Sequence, residues 1–418
     1  RIGRLDELAH NLWWSWHAEA RQLFKVLDRP LWKAACHNPV KLLQQIAPYR
    51  LVAAAEDAHF LKQYDSVMSS FKASLSDVQT WCHANHPLLQ RHTIAYFSME
   101  FALHNSLPLY AGGLGVLAGD HCKEASDLGL PLVGVGFMYP QGYFGQHISE
   151  EGWQEEVYRQ LDFDKAPVLS VRDAQGQPVK VRVELDSRPV SIAVWQVNVG
   201  RVKLYLLDTN LEENCPGDRQ LSDRLYGGDS ENRLQQEIVL GIGGVRVLRA
   251  LQVHPSLWHA NEGHAAFMTL ERCREWVERG LSFAEALNKV QATTIFTTHT
   301  PVPAGNDAFP HSLVEKYFGR YWSLLGLDRD AFLKLGMADS EDTSFNMTAL
   351  GLRMARQRNG VSQLHGAVCR RMWHGLWPDL KEEEVPIGSV TNGVHVATWV
   401  APQMTRLYEK YLGADWMA

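Results

Sequence analysis

The amino-acid sequence predicts an α/β fold on a parallel sheet, with an all-helical leader in front and a β-rich insertion within. Three observations predict it. Apolar residues recur at steps of three and four from Leu5, strand-length apolar runs alternate with helical text after His92, and residues 166–209 alternate apolar with polar. The 418 residues allow two or three domains of about 100–200 residues each.

Composition narrows the class. Apolar residues at 45% and charged residues at 21% support a large packed core and exclude wholesale disorder. A formal charge of -6, from 41 basic and 47 acidic residues, offers no basic surface for nucleic acid or an acidic membrane. A neutral substrate, or one carrying its own anion, fits better. The six cysteines lie far apart, without the short spacing of a disulfide scaffold or zinc ribbon, which favours a reducing, cytoplasmic location. No uncharged apolar run reaches the ~18 residues of a membrane span, and charges among residues 1–10 argue against a signal peptide. The chain begins without Met and stops just after an amphipathic pattern, so it reads as a fragment.

Each element follows from its own pattern. Leu5, Leu8, Leu12, Trp16, Ala20, Leu23 and Leu27 share one helical stripe. The Trp13-Trp14-Ser15-Trp16 cluster either stacks on sugar rings or packs against another domain, and packing is the commoner fate. Further helices over 40–58 and 62–71 complete a leader of residues 1–88. A buried strand over 93–99, a helix over 120–128 and a second strand over 131–137 form a strand-loop-helix-strand unit. After the β insertion come a helix over 230–251, a strand over 257–260, a helix over 262–279 and a strand over 293–298. Helical text spans 312–377, followed by a short strand over 387–390 and a last helix over 402–412.

Polar residues cluster where these strands end. Tyr110-Ala111-Gly112-Gly113-Leu114-Gly115 sits between strand and helix, where glycines let N–H groups meet an anion, although a plain tight turn would look the same. It is neither the dinucleotide fingerprint nor the P-loop. In His259-Ala260-Asn261-Glu262-Gly263-His264 the histidines are five apart across a turn, unlike a helical zinc pair, so no metal is expected. Phe296 to Pro303, with His299, and Val390 to His395, with Asn392, end two further strands. His299 read alone could equally be a hydrogen-bonded loop histidine. Together these loops point to a ligand crevice at the carboxyl edge of a parallel sheet.

At these residues the sequence resembles the α-glucan phosphorylases of glycogen, starch and maltodextrin, in particular the bacterial and archaeal branch with a helical leader. The resembling strings are Ala95 to Phe101, Gly112 to Gly115, Gly152-Trp153-Gln154, Arg233 to Glu237, His259 to His264, Thr298 to Pro301, Asn359 to His365 and Thr391 to Val394. The resemblance implies a GT-B fold, with two Rossmann-like domains facing across a cleft and pyridoxal 5'-phosphate on a lysine of the second. This chain resembles the first only, since no Gly-Thr-x-Asn-Met-Lys string occurs in it. The implied division is 1–88 leader, 89–392 first Rossmann-like domain, and 393–418 the start of a connection.

The implied reaction is phosphorolysis of terminal α-1,4-glucosyl units by orthophosphate, giving glucose 1-phosphate. By resemblance, Gly113, Leu114 and Gly115 face the phosphates and the glucosyl unit, and the His299 carbonyl lies beside the ring. Asn392 bonds the glucose 6-hydroxyl, and Asp229, Glu262 and His264 complete the substrate-binding set, with Tyr226 to Ser230 as a mobile gate. A homo-oligomer is compatible with the family. Val116 stands where eukaryotic relatives continue with Arg, and the leader replaces the regulatory region of the animal enzymes. The chain alone is expected to be inactive. Two other classes stay open: a nucleotide-sugar glucan synthase of the same fold, and a non-catalytic glucan-binding half-protein.

Overall fold

The computed structural model describes residues 1–158, 160–339, 342–413 and 415–416. The apolar stripe from Leu5 forms three pieces instead of one helix: Leu5–Ala9, a 3-10 turn at Leu12–Trp16, and Ala18–Leu27. Asn11 makes the first break. Its Oδ1 accepts from Trp13 N and Gly200 N, and its Nδ2 donates to Gly200 O, so a distant turn competes successfully with the helix. Trp13, Trp14 and Trp16 are buried, and Trp14 lies edge-on to Phe24, Trp32 and His104, so the aromatic cluster packs. The helix expected over 40–58 is two, Pro39–Gln45 and Pro48–Glu56, because Pro48 cannot continue a helix yet starts one readily. Asp57 caps the longer helix Ala58–Ser76.

The strands, in chain order, are β1 (Ile94–Phe97), β2 (Leu132–Phe137), β3 (Gly145–Ile148), β4 (Gln154–Val157) and β5 (Leu169–Ser170). Next come β6 (Lys180–Leu185), β7 (Arg188–Val199), β8 (Val202–Asp208), β9 (Leu257–Asn261) and β10 (Thr294–Thr297). The last are β11 (Ala308–Pro310), β12 (Ser344–Asn346), β13 (Gln357–Gly360) and β14 (Gly388–Ser389). A ten-stranded sheet runs β14-β13-β10-β9-β1-β2-β8-β7-β5, with β6 against β7. Every neighbouring pair from β14 to β8 is parallel, and β7 turns the sheet antiparallel. The fold is thus mixed α/β around a parallel-rich sheet, and the β-rich stretch extends that sheet at one side. Buried apolar residues of the N-terminal helices and the sheet form one continuous cluster.

Three expected helices differ. Text over 312–377 contains β12 and β13 between the helices His311–Phe318, Met347–Met354 and Gln363–Met372. Gln357, Arg358 and Asn359 form a short, part-exposed strand next to the sheet edge, so no apolar run marks it. The helix expected over 230–251 widens into a π turn at Val239–Gly243 between Ser230–Ile238 and Gly244–Ala250. The one expected from Glu262 starts later, at Phe267–Glu278, after a 3-10 turn. The exposed β3–β4 hairpin had no counterpart among the expected elements.

Chain order sets where the sheet changes direction. From β1 the chain passes to β2 and β8 on one side, then returns to β9, β10, β13 and β14 on the other. The carboxyl ends of β1 and β9 therefore flank the switch point where open α/β sheets form their crevice.

Asn11 yields a direct test of the leader's attachment. Asn11→Ala strands Trp13 N–H and both Gly200 backbone groups, and stability should fall by about 1–3 kcal/mol. Urea denaturation followed by tryptophan fluorescence reads this, and an unchanged midpoint would show that Asn11 does not anchor the leader.

Candidate active site

The edge is built from polar residues that immediately follow apolar strands. After β1 come Ser98, Met99 and Glu100, all buried. Glu100 Oε2 accepts from Ala111 N at 2.8 Å and Gly112 N at 3.1 Å, and its Oε1 accepts from Tyr226 Oη at 2.6 Å. One carboxylate thus fixes the entry to the glycine loop and the tyrosine of the expected gate. A Cβ at Gly115 would lie 2.7 Å from Glu100 Oε2 and 2.5 Å from Tyr110 Cβ, so only glycine fits.

The helix Gly113–Leu128 starts at this loop. Val116 N makes the first bond back, to Gly112 O, and the N–H groups of Gly113, Leu114 and Gly115 have no acceptor among the described residues. No atom lies within 4 Å of a Cβ built on Gly113, so the helix start is open on that side. Gly113 does not adopt a positive φ, so no left-handed turn requires a glycine there. Free N–H groups at the start of a helix of this length favour an anion.

After β9, Glu262 adopts φ +82, a costly conformation for a side-chain-bearing residue. Its carboxylate accepts from Gly263 N, His299 N, Thr300 N and Thr300 Oγ1, at 2.7 to 3.1 Å. Burial nonetheless raises its pKa, with the donors opposing. A chain of bonds then sets the tautomer of His299. Ser98 Oγ donates to the Glu100 carbonyl and accepts from Asn261 Nδ2, which turns Asn261 Oδ1 toward His299 Nε2 at 2.6 Å. The Nε2 therefore carries the proton and Nδ1 is left as an acceptor. Burial pushes the His299 pKa down to about 4, so the ring is neutral.

His264 Nε2 accepts from Met99 N at 3.0 Å, and the ring also bonds the Asn261 backbone. His259 Nε2 meets Thr297 Oγ1 at 2.8 Å. Burial first, and like charges second, push both pKa values down to about 3. The polar atoms of Glu262 and His264, both expected to contact substrate, are engaged in hydrogen bonds within the chain. Asp229, exposed, caps the helix Ser230–Ile238 through Asn232 N. Asn392 is exposed beyond β14 and tied by its backbone N to Val361 O at 3.1 Å, and its side chain has no hydrogen-bond partner among the described residues. The structure thus brings His299, Glu262 and His264 into one bonded group, with Gly113 to Gly115 linked to it through Glu100. Sequence reasoning assigned no role to Glu100, Ser98 or Asn261. A charged residue directly after an apolar strand was the available signal for Glu100. Among the described residues no group of His, Cys, Asp and Glu is placed to hold a metal.

Comparison with known proteins shows what the chain is similar to. Residues 1–107 match a family described as "Protein of unknown function (DUF3417)". Maltodextrin phosphorylase of Thermococcus litoralis is 44% identical over 99% of the chain and 49% of its own length. Over nearly its whole length the chain is thus similar to α-glucan phosphorylases. Glycogen phosphorylases of Mycobacterium tuberculosis and Aquifex aeolicus are 45% and 41% identical over 99% of the chain, and 50% and 58% of their own lengths. The chain spans about half the length of the phosphorylases it matches. No helix among its described residues is long and apolar enough to cross a membrane.

Three neutral histidines, His264 buried and His259 and His299 half-buried, predict acid lability. Their folded pKa values, about 3 to 4, lie below the ordinary 6.5, so the stability they confer is present above pH 6.5 and is lost as pH falls through the folded values. The melting temperature should drop steadily below about pH 6.5. A His264→Gln variant should lose part of that slope, and an equal slope would remove His264 from the explanation.

Proposed function

We propose that the chain forms one wall of the cleft of a GT-B α-glucan phosphorylase. The reaction is reversible phosphorolysis of terminal α-1,4-glucosyl units of glycogen, starch or maltodextrin by orthophosphate, releasing glucose 1-phosphate. The observation carrying this is the open helix start at Gly113, Leu114 and Gly115, three N–H groups without acceptors beside the switch point of the sheet. It acquires its meaning from a match to phosphorylases along 99% of the chain. Relatives named as phosphorylases favour this chemistry over a nucleotide-sugar synthase.

In this reading residues 1–88 are a leader, 89–392 the first Rossmann-like domain and 393–418 the connection to a second, in a cytoplasmic enzyme compatible with a homo-oligomer. Pyridoxal 5'-phosphate, which by resemblance a lysine outside this chain would hold, would supply a phosphate able to exchange protons with the substrate phosphate. The free N–H groups of 113–115 suit a phosphate in charge and donor type. They stabilise charge developing on the attacking phosphate without reorganising. His299, neutral and held by Asn261 and Glu262, presents its backbone and ring to the glucosyl unit in one orientation. Asn392 bonds the 6-hydroxyl, and Asp229 anchors the gate.

In the full-length enzyme, Asn392→Ala should lower kcat/KM by about 10- to 100-fold, the cost of one unpaired buried polar group. A 6-deoxyglucosyl donor should be insensitive to the substitution, and equal losses for both donors would sink the assignment. The 418-residue chain purified alone should release no glucose 1-phosphate. Release above a heat-killed control would place the active centre wholly within this chain and overturn the two-domain reading.

A further inference from the structure

Arg233 and Glu237 lie one turn apart on the helix Ser230–Ile238. Glu237 is fully buried, and neither of its carboxyl oxygens has a hydrogen-bond donor. Arg233 is its nearest ion-pair partner and a poor one. Arg233 Nη2 stands 3.6 Å from Glu237 Oε1 but only 2.8 Å from Asp307 Oδ2, and the guanidinium also lies over the Tyr226 ring at 4.7 Å. Asp307 is fixed from the other side, its carbonyl accepting from Met347 N at 2.9 Å. It closes the segment 299–307 that begins at His299.

A second carboxylate here would be buried beside Asp307 and near Glu262, with one cation already engaged. The neutral acid avoids that cost and gains a proton to donate, and the Asp307 carboxylate is within hydrogen-bonding reach. Burial first, and the Asp307 charge second, push the Glu237 pKa well above the carboxyl range. The groups facing it are Arg233 on its own helix, Asp307 after β10 and Glu262 after β9. His264, beside Arg233 and Asp307, is neutral.

We propose that Glu237 donates a hydrogen bond from its carboxyl O–H to Asp307 and is thereby the positioning residue for residues 299–307. The latch belongs to the wall itself, so its test stands whether or not the wall serves phosphorolysis. A raised folded pKa gives stability that is fully present below the ordinary value of 4.5 and is lost as pH rises toward the folded one. Openings that expose Glu237 should therefore become easier with rising pH, by up to about tenfold per pH unit, the slope of one proton.

Hydrogen exchange of peptides covering 299–307, corrected for intrinsic rates, reads this in the full-length protein from about pH 5 to about pH 9. Wild-type protection should fall with pH. Glu237→Gln, whose amide can still donate to Asp307, should keep wild-type protection near pH 5 and lose the pH dependence that Glu237 contributes. Glu237→Leu should exchange about tenfold faster near pH 5. A Glu237→Gln profile parallel to wild type, or as unprotected as Glu237→Leu near pH 5, would overturn the proposal. Should Glu237→Leu fail to fold, the wild-type and Glu237→Gln profiles decide alone.

Discussion

Two buried carboxylates, Glu100 and Glu262, hold the backbone at the carboxyl ends of β1 and β9, and the geometry of the crevice follows from them. A carboxylate taken out of water is costly unless several donors replace the lost hydration. Here the donors are mostly backbone N–H groups: Ala111 and Gly112 for Glu100, Gly263, His299 and Thr300 for Glu262. The cost of burial is thereby coupled to one loop conformation, because a loop that moved would leave a bare charge. The positive φ of Glu262 is tolerated for the same reason.

These carboxylates also divide labour along the edge. Glu100 uses the N–H groups just before the helix and leaves those of Gly113, Leu114 and Gly115 free. Had it reached one residue further, it would have met one of those N–H groups with the protein's own carboxylate. Its other oxygen accepts from the Tyr226 hydroxyl, so Tyr226 is bonded to the base of the glycine loop. Asn261 has the corresponding place between β9 and β10, passing the orientation of Ser98 to the His299 ring.

Much of this edge was legible in the sequence, and the illegible parts share a cause. Strands β1, β2, β9 and β10 are buried on both faces and read as apolar runs, which also located the polar loops that follow them. Strand β13 is polar because it is short and near the edge, so hydropathy could not distinguish it from its helical surroundings. The break at Asn11 depends on Gly200, far along the chain, and periodicity carries no information about such a partner. Glu262 and His264 were recognised as site residues, but their inward hydrogen bonds are tertiary facts that spacing does not encode.

The segment beyond β14 is held by the same helix that opens the crevice. Asp120 Oδ2 accepts from His395 N at 3.1 Å and Trp399 Nε1 at 2.6 Å, and Lys123 Nζ donates to Thr398 Oγ1 at 3.2 Å. Burial pushes the Lys123 pKa down to about 8, with Asp120 opposing, so its charge depends on that neighbour. The leader reaches the same place, where Trp16 stands edge-on to the His395 ring at 5.5 Å. Gly113 to Gly115 begin the helix, and Asp120 and Lys123 lie one to three turns further along it. The helix thus connects the free N–H groups with the stretch that carries Asn392, and Trp16 packs against His395 of that stretch. The helix that begins at the glycine loop, the N-terminal helices and the stretch beyond β14 therefore meet at Asp120, Lys123, Trp16 and His395, so their relative placement is fixed together.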